Sequence, residues 1–355
     1  MKKKLLAGIL ALALCSTNMP PQTIFAEEFT SGNQDVVSEE ETPEIFTNEE
    51  QEAEGETDEE LSVFSSEEIP EFNDTPDEAM AAAENAQNEV IDLTDNTKVS
   101  GGVYTITSAG DYKFTCSNSQ ETANRIVVDG THISEKDNIK IYLDNVNINT
   151  STGSALQIQS SVQAQVYIYL EGINKLNSGW NAALQKDNAA KLTIDNSPNT
   201  TGELIAISSY GAGIGGDHFK SSSDITIRGG SVTATSTFGA GIGGGQGNTG
   251  SNIAIRGGSV TATSDFGAGI GGGSNGGTCS NIAISGGSVT ATSDSGAGIG
   301  GGSNGASGSN ITISGGSVKA YSDRMPGIKY PPRNGNSTRV YCCIIKNEHS
   351  LPVKI

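Results

Sequence analysis

Gly211-Ala-Gly-Ile-Gly-Gly216 decides the fold, because the chain writes it four times. It returns at residues 239–244, 267–272 and 296–301, in steps of 28, 28 and 29 residues. Each copy is followed by a Gly/Ser/Asn-rich connector and two short apolar–polar alternations. The first pair is Asp224-Ile-Thr-Ile-Arg228 and Ser231-Val-Thr-Ala-Thr235; the later pairs are 252–256 with 259–263, 281–285 with 288–292, and 310–314 with 317–321. A fixed period of this size marks a solenoid.

Period-two alternation means strands. Ile225/Ile227 and their equivalents share one face with Val232/Ala234, whereas Thr226, Thr233 and Thr235 point the other way. A unit of three short β segments split by glycines has no core of its own and must bury its aliphatic face against the units above and below. The arrangement that does so is a right-handed parallel β-helix, the usual hand of parallel crossovers, with like residues stacked about 4.8 Å apart. The rhythm extends backward from Ile214 through Leu184, Leu156 and Val128, in steps of 30, 28 and 28, and residues 138–143, 166–170 and 191–194 supply the second strands. About seven turns of 28–30 residues are expected over 120–323. Residues 103–115 form a degenerate first turn that hides the open edge, and the solenoid as a whole occupies 91–323.

The flanks read differently. Residues 1–26 have the form of a signal peptide: Lys2-Lys-Lys4, an apolar core at 5–14, and a cleavage site at Ile24-Phe-Ala26. A lipoprotein reading at Cys15 is the weaker one, since Leu14 stands where a small residue is wanted. Ten apolar residues are too few for a membrane span, so export is expected. Residues 27–90 read as a disordered acidic linker: between Glu27 and Asp95 there are 25 Asp/Glu and no Lys or Arg. From Lys98 onward 16 acidic residues face 18 basic ones, so the net charge of −20 belongs to the linker. Without a basic stripe, nucleic acid is not an expected partner. Cys116 and Cys279 lie about five turns apart, roughly 24 Å, too far for a disulfide. His132, His218 and His349 are scattered and show no metal-site spacing with Cys. Residues 324–355 leave the repeat at Pro326, Pro331 and Pro332, and read either as a cap or as the start of a further, truncated domain.

Gly101-Gly-Val-Tyr-Thr-Ile106, Arg125-Ile-Val-Val-Asp129, the run 139–148 (Ile-Lys-Ile-Tyr-Leu-Asp-Asn-Val-Asn-Ile) and the iterated Gly-Ala-Gly-Ile-Gly-Gly resemble the carbohydrate-binding-domain family of cell-surface proteins from Gram-positive anaerobes. The resemblance covers about residues 100–323. It implies a right-handed β-helix displayed at the cell surface, in contact with cell wall or host, and polysaccharide as the partner. It also implies that calcium and acidic plant glycans are ligands of some members.

Stacking turns the repeats into columns of side chains. Trp180, Tyr210, Phe238 and Phe266 stand four residues before successive markers, and Ser295 ends the run. Exposed, such a strip, about 15 Å long, is a platform for sugar C–H faces; buried, it is packing under a corner. Asp265, Asp294 and Asp323 form a carboxylate column, either a Ca²⁺ site of hard oxygen ligands or turn-closing residues. Asp224, Asn252, Asn281 and Asn310 form an amide column expected to be structural. Arg228 and Arg256, outward-facing and near the loop 217–220, either grip the carboxylates of an acidic polymer or are solvated charge. The rows Thr233/Thr235, Thr261/Thr263 and Thr290/Thr292 resemble ice-binding surfaces, but Lys319 and Tyr321 interrupt them, and Thr is at home on an exposed strand.

Polysaccharide lyases and glycosidases also use this fold. A glycosidase needs a paired set of carboxylates, and the repeats hold almost no Glu. An active site is asymmetric, whereas this surface repeats. The expectation is therefore a non-enzymatic polysaccharide binder, assisted by calcium; the alternatives are a stalk or adhesin whose repeats supply only length, and a lyase or glycosidase.

Overall fold

The computed structural model describes residues 89–304, residues 306–324 and the strand Ile344–Ile345. The expected leader, the acidic segment apart from its last two residues, and the tail beyond 324 apart from that strand lie outside the described residues.

The chain forms a parallel β-solenoid. Sheet I takes one strand per turn: Val103–Ile106, Arg125–Val128, Leu156–Ile158, Leu184–Lys186, Ile214–Gly215, Ile242–Gly243, Ile270–Gly271 and Ile299–Gly300. Its eight strands give eight turns, in line with about seven regular turns and a degenerate first one. Sheet II begins with Val90–Asp92, Gly110–Thr115 and Asn138–Asp144, and ends with Lys191–Asn196, Ile225–Ile227, Gly250–Ile255, Cys279–Ile284 and Gly308–Ile313. Sheet III holds Asn147–Thr150, Gly202–Ser208, Ser231–Ser236, Ser259–Ser264, Ser288–Ser293 and Ser317–Ser322, the last pairing with Ile344–Ile345. One long strand, Gln165–Ser178, serves both: its first half pairs in sheet II and its second in sheet III.

Register follows the repeat. Ile225 pairs with Ile253, Val232 with Val260 and Ile214 with Ile242, so like stacks on like. These inward side chains are fully buried or nearly so. A turn such as 242–262 buries Ile242, Ile253, Ile255 and Val260, each worth about 1.5–3 kcal/mol. One expected register is corrected. Ile126, not Val128, pairs with Leu156, and Val128 pairs with Ile158; a two-residue slip keeps every side chain on its own face, so alternation alone does not detect it.

The Gly-Ile-Gly strands of sheet I are short because the chain must turn at once. Gly243 has φ +136°, and a Cβ there would lie 2.0 Å from the carbonyl oxygen of Gly271 in the next turn. Only glycine allows that approach. At the opposite corner Asp224, Asn252, Asn281 and Asn310 take left-handed backbone with φ between 49° and 59°. Their side chains form the expected amide column: Asn252 Nδ2 donates to Asp224 Oδ1 (3.1 Å), Asn281 Nδ2 to Asn252 Oδ1 (3.0 Å) and Asn310 Nδ2 to Asn281 Oδ1 (3.1 Å). At the N-terminal end Ile91, Leu93 and Val99 join Ile106 and Phe114 in the core, which closes the edge with apolar surface. Cys116 and Cys279 are buried and free. No described helix is long and apolar enough to cross a membrane.

Candidate functional site

Where sheet III hands over to sheet I, the strands from Gln165–Ser178 to Ser317–Ser322 end in an inward serine, and two residues later comes the position of the rings. Main-chain bonds fix that position turn by turn. Phe238 N donates to Ser209 O (2.7 Å) and Phe266 N to Thr237 O (2.9 Å), while Gln246 N and Ser274 N donate to Tyr210 O (3.0 Å) and Phe238 O (2.8 Å). Trp180, Tyr210, Phe238 and Phe266 therefore form one column. Successive ring centroids are 4.3, 4.7 and 5.1 Å apart, with interplanar angles of 10°, 21° and 8°.

These distances settle how the rings lie. Two nearly parallel rings this close overlap face to face, since coplanar rings at that separation would collide. The column is at the surface, with Trp180 61 % and Phe266 41 % exposed and the two middle rings half-buried. It is not, however, a flat platform along its length. Tyr210 and Phe238 offer only their edges, because each face is covered by a neighbour. Open ring faces remain at the two ends, on Trp180 and on Phe266.

Two side chains absent from the sequence-based candidates join this surface. His218 lies beside the column, its ring 5.1 Å from Tyr210 and 6.1 Å from Trp180, and Phe219 stacks on it at 3.9 Å while remaining 62 % exposed. Asp217 holds this loop down by accepting from Asn181 Nδ2 (2.9 Å) and from the main-chain N of Ala182 (3.0 Å). His218 Nε2 is 2.9 Å from Gln246 Oε1. In the sequence the loop 217–220 stood out only as a neighbour of Arg228, and nothing there showed that it packs beside the rings.

Asp265, Asp294 and Asp323 follow the same corner, one residue ahead of the ring register, and are exposed. With Phe266, Ser295 and Arg324 they line an open groove of about 290 Å³, at the small end for a ligand site. Burial, then the nearby charge of Asp294, raises the Asp265 carboxyl above its ordinary value. Among the described residues no three His, Cys, Asp or Glu side chains gather as a metal-holding group.

Arg228 and Arg256 are not part of this corner. Arg228 follows directly on the sheet II strand Ile225–Ile227, and Ser231–Ser236 leads on towards the rings, so six residues of sheet III, roughly 20 Å, separate the arginines from the column. They share instead the outer face of sheet II with Tyr142, Tyr167 and Tyr169, whose rings stack at 5.0 and 6.1 Å. The Ile-Tyr-Leu alternation at 141–143 and 168–170 was the signal for that second aromatic group.

The family model for carbohydrate-binding domain-containing proteins matches residues 100–335. The chain belongs to that family. The match spans more than half of the sequence and takes in all eight strands of sheet I. No curated protein and no solved structure matches the chain.

Proposed function

We propose that this family member binds polysaccharide at the corner between sheets III and I, using the aromatic column and its two open ends. The observation that carries the reading is a stack of four rings in register at the surface, exposed at Trp180 and Phe266, in a chain of the carbohydrate-binding-domain family. An isolated exposed aromatic needs no explanation, but four in register form an apolar ridge with polar groups beside it, the usual composition of a sugar contact. Binding without catalysis suits the repetition. The leader-like residues 1–26 and the acidic segment behind them support display outside the cell, in contact with wall or host glycans.

Calcium is a separate proposal. The proximity of Asp265 to Asp294 supports it. The test for both is affinity electrophoresis of the full chain through gels containing neutral glucans, hemicelluloses, mucin glycans or pectic polymers, with calcium or with chelator. Retardation by at least one polymer is expected, and Trp180→Ala should weaken it several-fold, on the order of 1 kcal/mol. If no polymer retards the chain, the repeats act as a stalk and the glycan reading fails.

A further inference from the structure

The ring register does not stop at Phe266. Because Ser264 pairs with Ser293 and Ser293 with Ser322, the positions two residues on are Phe266, Ser295 and Arg324. The column therefore reads Trp180, Tyr210, Phe238, Phe266, Ser295, Arg324, with one small side chain between a phenyl ring and a guanidinium. Two strand spacings, about 9.6 Å, separate the positions on either side, which is the room one missing ring leaves. The groove lined by Phe266, Ser295 and Arg324 is this gap, and Asp265, Asp294 and Asp323 form its rim.

We infer that the gap at Ser295 is a subsite for a single pyranose ring, and that it selects sugars without a carboxylate. The inference rests on the glycan-binding reading above. A pyranose inserted there continues the stack. One C–H face lies on Phe266, the only described ring of the column whose C-terminal side meets no aromatic neighbour. The other lies against the planar Arg324 guanidinium, which also donates to ring or hydroxyl oxygens. The rim sets the charge preference. Three carboxylates and one guanidinium surround the gap, so hydroxyl or ammonium donors are matched and a uronic-acid carboxylate is repelled. The acidic glycans implied by the family resemblance are thus the wrong class for this position, and the arginines suited to them stand across sheet III.

Ser295→Phe is the decisive variant. It writes into the fifth position of the column the residue already present at 238 and 266, so the solenoid accommodates it while the side chain fills the gap. Titration calorimetry of the full chain, in chelator, uses neutral β-glucan, glucosamine and galacturonic-acid oligosaccharides. Wild-type binding of the neutral or glucosamine oligomers is expected, falling at least tenfold in Ser295→Phe with an unchanged melting temperature. The double variant Asp294→Asn/Asp323→Asn, which leaves the gap open, is expected to weaken glucosamine binding and to admit galacturonate; it decides the matter if Ser295→Phe does not fold. Should Ser295→Phe bind like wild type while Trp180→Ala does not bind, the sugar sits at the other end of the column: the gap assignment falls and the glycan reading stands. Preference of the wild type for galacturonate overturns the charge selection. Absence of binding to every oligosaccharide sinks the glycan reading and the subsite together.

Discussion

Lys186 occupies an inward position of sheet I, in register with Ile158, and is fully buried. Its ammonium donates to the carbonyls of Asn188 (2.7 Å) and Ser223 (2.9 Å). Burial pulls its pKa down to about 8, against the opposing pull of the Asp224 and Asp187 carboxylates. The linkage follows from the direction of that shift. The folded chain releases the proton near pH 8, while the unfolded chain holds it to about 10.5, so between those values the unfolded state binds more protons and stability rises with pH. Cys279 acts in the opposite sense, its buried thiol pushed up to about 12, but only above the ordinary thiol range. The clean window is therefore pH 7.5–9, where wild type should gain about 1 kcal/mol relative to Lys186→Met. Urea unfolding of both proteins at the two pH values checks this, and parallel pH dependences would contradict the assignment. In the sequence the alternation from Leu184 places Lys186 inside, whereas its charge and the neighbouring Asp187 argue for the surface, so the two signals conflict.

A column of hydroxyls holds the corner beneath the rings. Thr150, Ser178, Ser208, Ser236, Ser264, Ser293 and Ser322 are in register and buried. Ser264 Oγ donates to Gly239 O (2.7 Å) and accepts from Gly267 N (2.8 Å), and Ser236 and Ser293 repeat both bonds. Each hydroxyl satisfies a main-chain carbonyl of one turn and an amide of its own where the coil bends and neither has a strand partner. Ser264→Ala leaves both groups buried and unmet, and should cost about 1–3 kcal/mol. Thr261→Ala, on the outer face of the same strand, should stay within about 0.5 kcal/mol; equal costs in chemical denaturation would refute the role given to the serines. This column was within reach of the sequence: the period that sends Val232 and Ala234 inward sends Ser236 inward too. It is easy to pass over, because serine at a strand end reads as the start of a polar loop.

At the scale of the whole molecule, what was legible is what repeats. Glycine spacing and Ile/Val alternation led to the parallel coil, its turns and the stacking of like residues, because each turn meets only its neighbours. The aromatic and Asp columns follow from the same spacing, and so does the gap at Ser295. Not legible were the overlap of the ring faces, which depends on side-chain rotation, and the fold of the 217–220 loop, which occurs once. The quasi-one-dimensional build makes a prediction of its own. Deleting residues 239–266 removes one turn and rejoins Phe238 to Gly267, the same Phe-Gly junction as before, with Ser236 brought into register with Ser293. The shortened chain should fold cooperatively and melt at a lower temperature, having lost the aliphatic burial of one turn. Its column becomes Trp180, Tyr210, Phe238, then Ser295, so the gap persists with Phe238 as its wall and Thr237 in place of Asp265; glycan binding should survive with weaker discrimination against acidic sugars. Deleting 239–265 instead keeps Phe266 after Phe238 and offsets everything beyond by one residue. A one-residue slip would turn the Ile and Val faces outward, so the chain must loop out a residue or lose the later turns. Circular dichroism melts of the two deletions separate these outcomes: a cooperative melt for the 28-residue deletion and a broadened or lost one for the 27-residue deletion is expected, and the reverse would break the turn-by-turn account of the fold.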